Sequence, residues 1–430
     1  MYNEVYSSLG ITKQSYNMIS MLEKELKDTF SCIEETECIN QARVLAAFHK
    51  NKVAAHYFNP TTGYGYDDIG RDHLDRVFAD ALNAEAAIVS PLLVSGTHAI
   101  FTALNGLLRN GEYMLSLSGR PYDTLINAIG INNDGVGNYT PNSLSERGII
   151  YEQVDLNSDG SLNLDAIRER INALMPRVAY VQRSRGYEWR EAISPEAMGS
   201  VFDEVKRISP QTIIVVDNCY GEFTDINEPI DFGADIIVGS LIKNPGGGLA
   251  PTGGYFAGKS KYIERIASAM TVPGIGRECG SYFASYLPFY QGLFNAPHVV
   301  AQSLKTSALF AKLFETLNLP TMPSSSSKRS DIVQALRFNT ADELISFCRC
   351  IQSVSPVDSH VVPEPWAMPG YTDEVIMAAG TFIQGASIEL TADAPIHSPY
   401  TGYIQGALSY AHGRIAAMRV CSVLTRSKEK

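Results

Sequence analysis

IIVVDNCYGEF (residues 213–223) and DIIVGSLIKNPGGG (residues 235–248) give the strongest indication of how this 430-residue chain folds. Each stretch contains a continuous apolar run of strand length, which is followed by Asp217 in the first and Lys243 in the second. Such runs are typical of a parallel sheet that is covered by helices on both faces. Sites in open α/β sheets form outside the carboxyl ends of the strands, and we therefore expect both residues to face one crevice.

Similar apolar runs alternate with helical patterns through the middle of the chain. The predicted strands are 86–90, 113–117, 149–154, 178–182, 213–217, 236–240 and 253–257, and the predicted helices include 97–108, 163–173 and 194–207. Strands separated by helices indicate a mainly parallel sheet. The sequence therefore predicts a large α/β domain over residues 56–300, with a mainly parallel seven-stranded sheet and helices on both faces.

The two flanks of this domain have other patterns. Residues 14–50 carry apolar side chains at helical spacing, which predicts an N-terminal helical segment within residues 1–55. The serine-rich stretch TMPSSSSKRSD (321–331) is a break in composition. After it, predicted strands and helices indicate a smaller α+β domain, to which we assign residues 301–430. Its predicted strands are 331–337 and 375–379, and its predicted helices are 341–351 and 414–425.

Composition argues against several classes of partner. With 35 basic and 46 acidic residues and a formal net charge of -11, the chain lacks the basic bias of nucleic-acid-binding proteins. No apolar run is long enough to span a bilayer, and the first residues lack the pattern of a signal peptide. The seven scattered cysteines favour reduced thiols. We therefore predict a cytoplasmic protein that binds neither nucleic acid nor membranes.

The motifs of several other enzyme classes are absent from the sequence. The histidines and cysteines have no metal-ligand spacing, so that no metal site is predicted. There is no GxGxxG after an early strand, no GxxxxGK followed by Ser or Thr, and no GxSxG. These absences argue against a nicotinamide cofactor, a P-loop and the hydrolases that carry a nucleophile elbow.

A lysine and an aspartate at the ends of apolar strands have defined roles in enzymes that use pyridoxal 5′-phosphate (PLP). The lysine amine forms a Schiff base with the cofactor aldehyde, and the acid pairs with the protonated pyridine nitrogen. Either residue alone is more often an ordinary strand-end residue, but Lys243 and Asp217 together favour the functional interpretation. Tyr220 either reaches the cofactor's phenolic oxygen or is an interfacial tyrosine with a solvated hydroxyl.

The phosphate of such a cofactor needs hydrogen-bond donors at the start of a helix. VSGTHAIFTALNGLL (94–108) places Ser95, Gly96 and Thr97 at the start of a run with helical periodicity, where free N–H groups and the helix dipole favour an anion. Ordinary N-capping by Ser or Thr explains the same pattern. Ser240 adds a second hydroxyl at the same crevice.

Two segments next to predicted strands have a composition that suits a cofactor site. The three glycines of NPGGG (244–248) permit a close backbone approach beside the lysine, although a mobile loop has the same composition. In GRPYDTL (119–125), Tyr122 is either a ring that stacks on a flat cofactor or a residue of the core.

The segment VQRSRGYEWR (181–190) also leaves a strand end and carries several polar side chains. Gln182, Arg183 and Arg185 either bind the anionic group of a substrate or form surface ion pairs. We take Arg183 and Gln182 as candidate substrate-binding residues, because a strand end is where a ligand meets an open α/β sheet.

Several of these motifs together resemble one known family. The sequence is similar to the aluminium resistance or methionine gamma-lyase-like family of fold-type I PLP-dependent enzymes, from about residue 40 onwards. The motifs that carry the resemblance are VSGTHAI (94–100), SGRPYDTL (118–125), VQRSRGYEWR (181–190), VDNCYGEF (216–223), GSLIKNPGGG (239–248), TFIQGASIEL (381–390) and YIQGALSYAHG (403–413).

The resemblance implies roles for the residues singled out above. Lys243, Asp217 and Tyr122 would form the catalytic set, with Tyr122 as the stacking ring and Tyr220 also near the cofactor. The phosphate would be held by Ser95, Gly96, Thr97 and Ser240. Relatives send a loop like 64–71 into the neighbouring subunit's site, which implies that Tyr66 and Arg71 bind the cofactor there. A homodimer or homotetramer with shared active sites follows.

Two departures from the better-known lyases of this class concern substrate binding. Ile242 replaces the threonine that precedes their lysine, and their carboxylate-binding arginine has no clear match. ADAPIHSPY (392–400) offers His397 in its place. The resemblance implies a PLP-dependent lyase that acts on a sulfur-containing amino acid by β- or γ-elimination. The alternatives are an aminotransferase or aldolase, or a PLP-binding protein without lyase activity.

Overall fold

A computed structural model describes residues 2–131, 140–368 and 373–427 of the chain. The part that precedes the first strand is helical. It contains α1 (Glu4–Ser8), α2 (Lys13–Glu25), α3 (Lys27–Lys50) and α4 (Ile69–Ala81).

A seven-stranded sheet and its helices follow in alternation. These elements are β1 (Ala86–Ser90), α5 (Gly96–Leu107), β2 (Tyr113–Ser116), α6 (Asp123–Ile129), β3 (Ile150–Gln153), α7 (Leu164–Leu174), β4 (Val178–Gln182), α8 (Pro195–Ile208), β5 (Ile213–Asp217), β6 (Ile236–Ser240), β7 (Gly254–Gly258) and α9 (Ser260–Met270). The strand order is β1-β7-β6-β5-β4-β2-β3, and only β7 runs against the other strands. The predicted mainly parallel seven-stranded sheet is confirmed.

The apolar runs of the central strands are continuous because both faces of the sheet are covered. In β5, Ile213 and Val215 pack into the core formed with α5 and α9, whereas Ile214 and Val216 pack into the core formed with α4 and α8. Burying both faces removes the alternation of apolar and polar residues that a half-exposed strand would show. This burial leaves the carboxyl ends of the strands as the place where polar side chains gather.

The rest of the chain forms a second, antiparallel sheet with its own helices. Its elements are α10 (Leu287–Thr316), β8 (Thr321–Met322), β9 (Gln334–Arg337), α11 (Ala341–Ser353), β10 (Val375–Ala378), β11 (Thr391–Pro395), β12 (Thr401–Gln405) and α12 (Tyr410–Ser427). The strand order is β10-β11-β12-β9-β8. This is the α+β pattern predicted for the C-terminal part. None of the helices in the described ranges is both long enough and apolar enough to cross a bilayer.

Helix α10 connects the two parts of the molecule. Phe289 and Leu293 near its start lie in the core of the large sheet, and Phe310 and Phe314 near its end lie in the core of the small one. The domain boundary predicted at residues 300–301 therefore lies inside a continuous helix. The division into domains remains a prediction, and the structure shows that any such division crosses α10.

The predicted N-terminal helix over residues 14–50 is interrupted at Leu26, where α2 ends and α3 begins. Helix α2 packs against the small sheet's core through Ile19 and Leu22. It also bonds to α12, because the hydroxyls of Ser15 and Ser422 lie 2.5 Å apart. Helix α2 thus belongs structurally with the C-terminal part, whereas α3 contributes Val44 and Ala47 to the core of the large sheet.

Candidate active site

A cavity of about 460 Å³ lies at the carboxyl ends of the central strands, between the large sheet and the small sheet. Both parts of the chain supply its walls. The large-sheet wall includes Thr97, Tyr122, Gln182, Asp217, Cys219, Tyr220 and Lys243, and the small-sheet wall includes Met377, Ser387, Asp393, Tyr403 and Gln405. Six of the predicted site residues therefore line one cavity, as expected from the position of β5 and β6 as neighbouring parallel strands.

Lys243 follows β6 and extends its side chain over an aromatic ring. Its Nζ lies 4.0 Å from the centroid of the Tyr220 ring, a distance at which the ring face attracts a cation. Burial would lower the pKa of the Lys243 ammonium, but the acidic groups of Cys219, Tyr220, Asp217 and Tyr122 raise this pKa well above its usual value. The free side chain is therefore a cation at neutral pH.

Tyr220 holds this position at some cost in backbone free energy. Its φ is 70°, in the left-handed region, which costs a residue other than glycine about 1–3 kcal/mol. Its hydroxyl lies 3.2 Å from the Ser387 hydroxyl on the small-sheet side. Tyr220 thus faces Lys243 with its ring and contacts the opposite wall with its hydroxyl.

Asp217 ends β5 and is buried beneath the cavity. Its Oδ1 accepts a hydrogen bond from the backbone N–H of Cys219 at 3.1 Å, and its Oδ2 accepts one from the Tyr180 hydroxyl at 3.4 Å. Burial raises the pKa of the Asp217 carboxyl, and the positive charge of Lys243 lowers it. A buried carboxylate with so few donors favours a cationic N–H partner.

The predicted phosphate loop lies where α5 begins. The Ser95 side chain caps the helix by accepting a hydrogen bond from the His98 N–H. A Cβ atom on Gly96 would come within 3.3 Å of the Ser240 Cβ, so the helix start packs tightly against the end of β6. Within the described residues, the N–H groups of Gly96 and Thr97 donate no hydrogen bond, which leaves both of them for an anion.

Tyr122 connects this loop to the end of β4. Its hydroxyl lies 2.9 Å from the Thr97 Oγ1, and its backbone N–H donates to the Gln182 Oε1 at 2.9 Å. Burial raises the pKa of the Tyr122 hydroxyl far above its usual value, so this group stays protonated. The ring lines the cavity, as the stacking interpretation requires.

The glycines after Lys243 lie against α10. A Cβ atom on Gly246 would come within 1.7 Å of the Leu241 carbonyl oxygen, and a Cβ atom on Gly247 would come within 2.2 Å of the Gly292 carbonyl oxygen. Gly247 also takes a φ of 53°. The tract is thus a tight turn held between β6 and α10, and its composition reflects close backbone approach rather than mobility.

The two arginines after β4 have different surroundings. Arg183 is fully buried away from the cavity, where it donates to the Asn218 Oδ1 at 2.7 Å and pairs with Glu228 at 3.3 Å. This position gives Arg183 no contact with a ligand in the cavity. Arg185 lines the cavity, and its guanidinium donates to the Met322 carbonyl oxygen at 2.8 Å and lies 3.7 Å from Asp331.

Three other predicted site residues lie outside this cavity. His397 is half-exposed and lies 3.9 Å from Asp373. Arg71 is buried and donates to the Gly65 carbonyl oxygen at 2.8 Å. Tyr66 is 60% exposed on the surface of the large-sheet part. None of the three faces the cavity formed by its own chain.

Several residues of the site were not singled out from the sequence. Cys219 lies between Asp217 and Tyr220, and burial raises the pKa of its thiol far above the usual value. Asp393 and Gln405 come from β11 and β12. Gln405 lies inside YIQGALSYAHG (403–413), and Asp393 lies three residues after TFIQGASIEL (381–390). The signal for Cys219 was its place inside the motif. In the described ranges, no group of three or more His, Cys, Asp or Glu side chains is arranged to hold a metal ion.

Comparison with known proteins gives consistent matches over nearly the whole chain. A family model described as methionine gamma-lyase matches residues 15–425. An uncharacterised protein of Bacillus subtilis, YnbB, is 46% identical over 409 residues, which cover 95% of each chain. Two solved structures have TM-scores of 0.93. One is a carbon–sulfur lyase involved in aluminum resistance from Clostridium novyi NT, with 45% identity over 98% of each chain. The other is a provisionally assigned cystathionine beta-lyase involved in aluminum resistance from Clostridium acetobutylicum, with 42% identity over 97% of each chain.

The fold is shared more widely than the sequence. A PLP-dependent protein of Escherichia coli, YhfS, superposes with a TM-score of 0.60 at 17% identity and covers 91% of this chain. At this identity the likeness concerns the fold alone. The architecture is that of the fold-type I enzymes, as the sequence predicted.

Proposed function

Because this chain belongs to the methionine gamma-lyase family, we propose that it uses PLP to break a carbon–sulfur bond in a sulfur-containing amino acid. It is a carbon–sulfur lyase of fold type I by family and by structural likeness. The observation that carries the proposal is the presence of Lys243 and Asp217 in one cavity, at the ends of neighbouring parallel strands. Nothing in the comparisons favours an aminotransferase, an aldolase or a protein without lyase activity.

The residues present fit the cofactor. The N–H groups of Gly96 and Thr97, which donate to no described residue, and the Ser240 hydroxyl suit its phosphate. Asp217 is a buried acid that would be compensated by a protonated pyridine nitrogen. Tyr122 supplies a ring that lines the cavity beside these groups. The donors, the acid and the ring thus correspond to the three parts of the molecule.

When bound, PLP withdraws electrons from the α-carbon of an amino acid, so that a proton is removed there and a sulfur substituent on the β- or γ-carbon leaves. Asp217 would keep a proton at the pyridine nitrogen through its negative charge. Lys243 would hold the cofactor covalently through Nζ and, once released from it, would take the α-proton as a general base.

The small-sheet wall would orient the substrate and exclude water. Ser387 approaches the Tyr220 hydroxyl across the cavity, and the Tyr403 hydroxyl donates to the Tyr187 carbonyl oxygen at 2.5 Å. These contacts join the two walls of the cavity. We assign the substrate carboxylate to Arg185, which follows β4 and lines the same cavity, in place of Arg183.

We also propose that two copies of the chain share their sites. Segments 64–69, 92–94 and 272–287 expose many large apolar side chains, an arrangement that suits a protein interface. These side chains are Tyr64, Tyr66, Ile69, Leu92, Val94, Val272, Ile275, Phe283 and Leu287. Because Tyr66 and Arg71 lie off their own cavity, the role proposed for them is in the partner's site, in a homodimer or a homotetramer. The seven free cysteines support a cytoplasmic location.

The test is the visible absorption of the purified protein with PLP, together with product analysis for sulfur amino acids. We expect a yellow Schiff-base band in the wild type, and release of a thiol, ammonia and a keto acid. Lys243→Ala should lose the band and the turnover, whereas Lys259→Ala, which changes a lysine on the surface beside Asp235, should keep both. A normal band and normal turnover in Lys243→Ala would overturn the proposal.

A further inference from the structure

Asp393 presents a carboxyl group to the cavity from the small sheet. Side chains of β11 alternate between two faces: Ala392 and Ala394 pack into the core, whereas Asp393 lines the cavity. The neighbouring strands show the same alternation, and Met377 of β10 and Tyr403 of β12 are paired across from Asp393. The strand register, rather than a mobile loop, therefore sets the position of this carboxyl group.

Asp393 carries a charge for which the described residues supply little compensation. The Gln405 Nε2 donates to its Oδ2 at 3.0 Å, and the same amide also donates to the Thr391 hydroxyl at 3.0 Å. No lysine, arginine or histidine of the described ranges forms an ion pair with it, and its side chain is partly exposed to the cavity. A partly buried carboxylate without a cation favours a ligand that brings one.

The position of Asp393 also indicates which part of a ligand it meets. Lys243 follows β6 of the large sheet, whereas Asp393 lies on β11 of the small sheet. The two residues therefore line opposite walls of the cavity. The α-amino group of a substrate would be occupied at the Lys243 wall, and a second carboxylate on the sulfur substituent would be repelled by Asp393.

We propose that Asp393 selects substrates whose sulfur substituent carries an ammonium group. The inference rests on the lyase function proposed above and adds the substrate class to it. The ammonium group would lie at the end of the leaving thiol and donate a charge-assisted hydrogen bond to the Asp393 carboxylate. Gln405 would hold the carboxylate in place from the other side.

The preference should depend on pH. Burial raises the pKa of Asp393 to about 6, while the Gln405 hydrogen bond lowers it. The carboxylate is therefore charged above pH 6 and neutral below it, whereas an aliphatic ammonium stays charged throughout this range. Charged or titratable groups that line the same cavity include Arg120, Asp123, Arg185, Glu188, Lys243 and Tyr403, and Cys348 lies within electrostatic range of Asp393. Selectivity should rise from pH 5 to pH 7.5 with a midpoint near 6.

The experiment compares two substrates of nearly equal size with the holoenzyme. S-(2-aminoethyl)-L-cysteine has an ammonium group where S-propyl-L-cysteine has a methyl group, and the corresponding homocysteine pair covers γ-elimination. We expect kcat/KM to favour the ammonium substrate by about ten- to a hundredfold at pH 7.5, the range that a hydrogen bond to a charged group supports. Asp393→Asn keeps the size and the acceptor for Gln405, and it should reduce the ratio to near one.

Two further variants separate the charge of Asp393 from structural effects. Asp393→Glu should keep a preference for the ammonium substrate. Glu188→Gln removes an acid that lines the same cavity but is already paired with Arg190 at 2.5 Å, and its ratio should match the wild type. Equal kcat/KM for both substrates in the wild type, or an unchanged ratio in Asp393→Asn with a normal cofactor band, would overturn the inference. Failure to turn over any of the four compounds would instead overturn the lyase function on which it rests.

Discussion

Replacing Gly292 by alanine sets two physical effects against each other in one helix. Gly292 lies inside α10, where alanine is the better helix former by about 1 kcal/mol. The added Cβ would, however, come within 2.3 Å of the Gly246 carbonyl oxygen and within 2.9 Å of its carbonyl carbon. The sign of the stability change therefore depends on whether the turn after Lys243 can move.

The structure indicates that this turn cannot move without cost. A Cβ atom on Gly246 would lie only 1.7 Å from the Leu241 carbonyl oxygen. The Gly246 N–H also donates to the Lys243 carbonyl oxygen at 3.2 Å. Overpacking of this kind costs about 1–3 kcal/mol, and the upper end applies because the contact is with backbone. After the gain in helix propensity, we expect a net loss of about 2 kcal/mol.

The assay is urea denaturation, together with the cofactor band and its apparent affinity. We expect Gly292→Ala to unfold at lower urea and to bind PLP more weakly, since the displaced turn directly follows Lys243. Gln291→Ala, at an exposed position on the same helix, should change stability by no more than about 0.5 kcal/mol. A Gly292→Ala protein as stable as the wild type, with normal PLP affinity, would refute the reasoning from close packing.

Two further predictions concern the assembly and the buried acids. Tyr66→Ala and Lys243→Ala should each lose most activity. After subunit exchange in an equal mixture, half of the dimers contain one subunit of each variant, and one of their two sites is intact, so about a quarter of the wild-type sites should recover. Failure of the mixture to recover activity would contradict sites shared between subunits. Burial raises the pKa of Glu222 to about 8. The folded state therefore holds a proton that the unfolded chain releases near pH 4.5. As a result, the free energy of unfolding should fall by on the order of 4 kcal/mol between pH 5 and pH 8. Denaturation midpoints should show this fall in the wild type and not in Glu222→Gln, and parallel pH profiles would contradict it.

The large sheet could be predicted because its strands carry a signal that does not depend on context. Ile213–Asp217 and Ile236–Ser240 are buried on both faces, and their apolar runs end where the polar site residues begin. The site residues that belong to the strand ends followed from this pattern. Tyr220 was found by its spacing from Asp217, although the sequence could not show that its hydroxyl would meet Ser387.

The elements that the sequence did not predict have weaker patterns for physical reasons. Helix α10 is buried on most of its sides, so its apolar residues show no single face. Strands β11 and β12 bury small residues such as Ala392 and Gly402, which give little hydrophobic signal. Asp393 could not be recognised because its strand was not. Arg183 and Arg185 both follow the end of β4, and the sequence could not show that Arg183 pairs with Glu228 in the core whereas Arg185 lines the cavity.

The packing of α2 on α12 has a consequence for how the chain is made. Ser15 and Ser422 are 407 residues apart in sequence, and Arg414 holds Glu23 at 2.8 Å on the same surface. While the polypeptide emerges from the ribosome, the apolar face of α2 can meet α10 first, but its contact with α12 forms only after that later helix has been synthesised. The central sheet can assemble first, because its strands and helices are close in sequence. The small-sheet wall of the cavity would therefore be completed last, after the residues that hold the cofactor are in place.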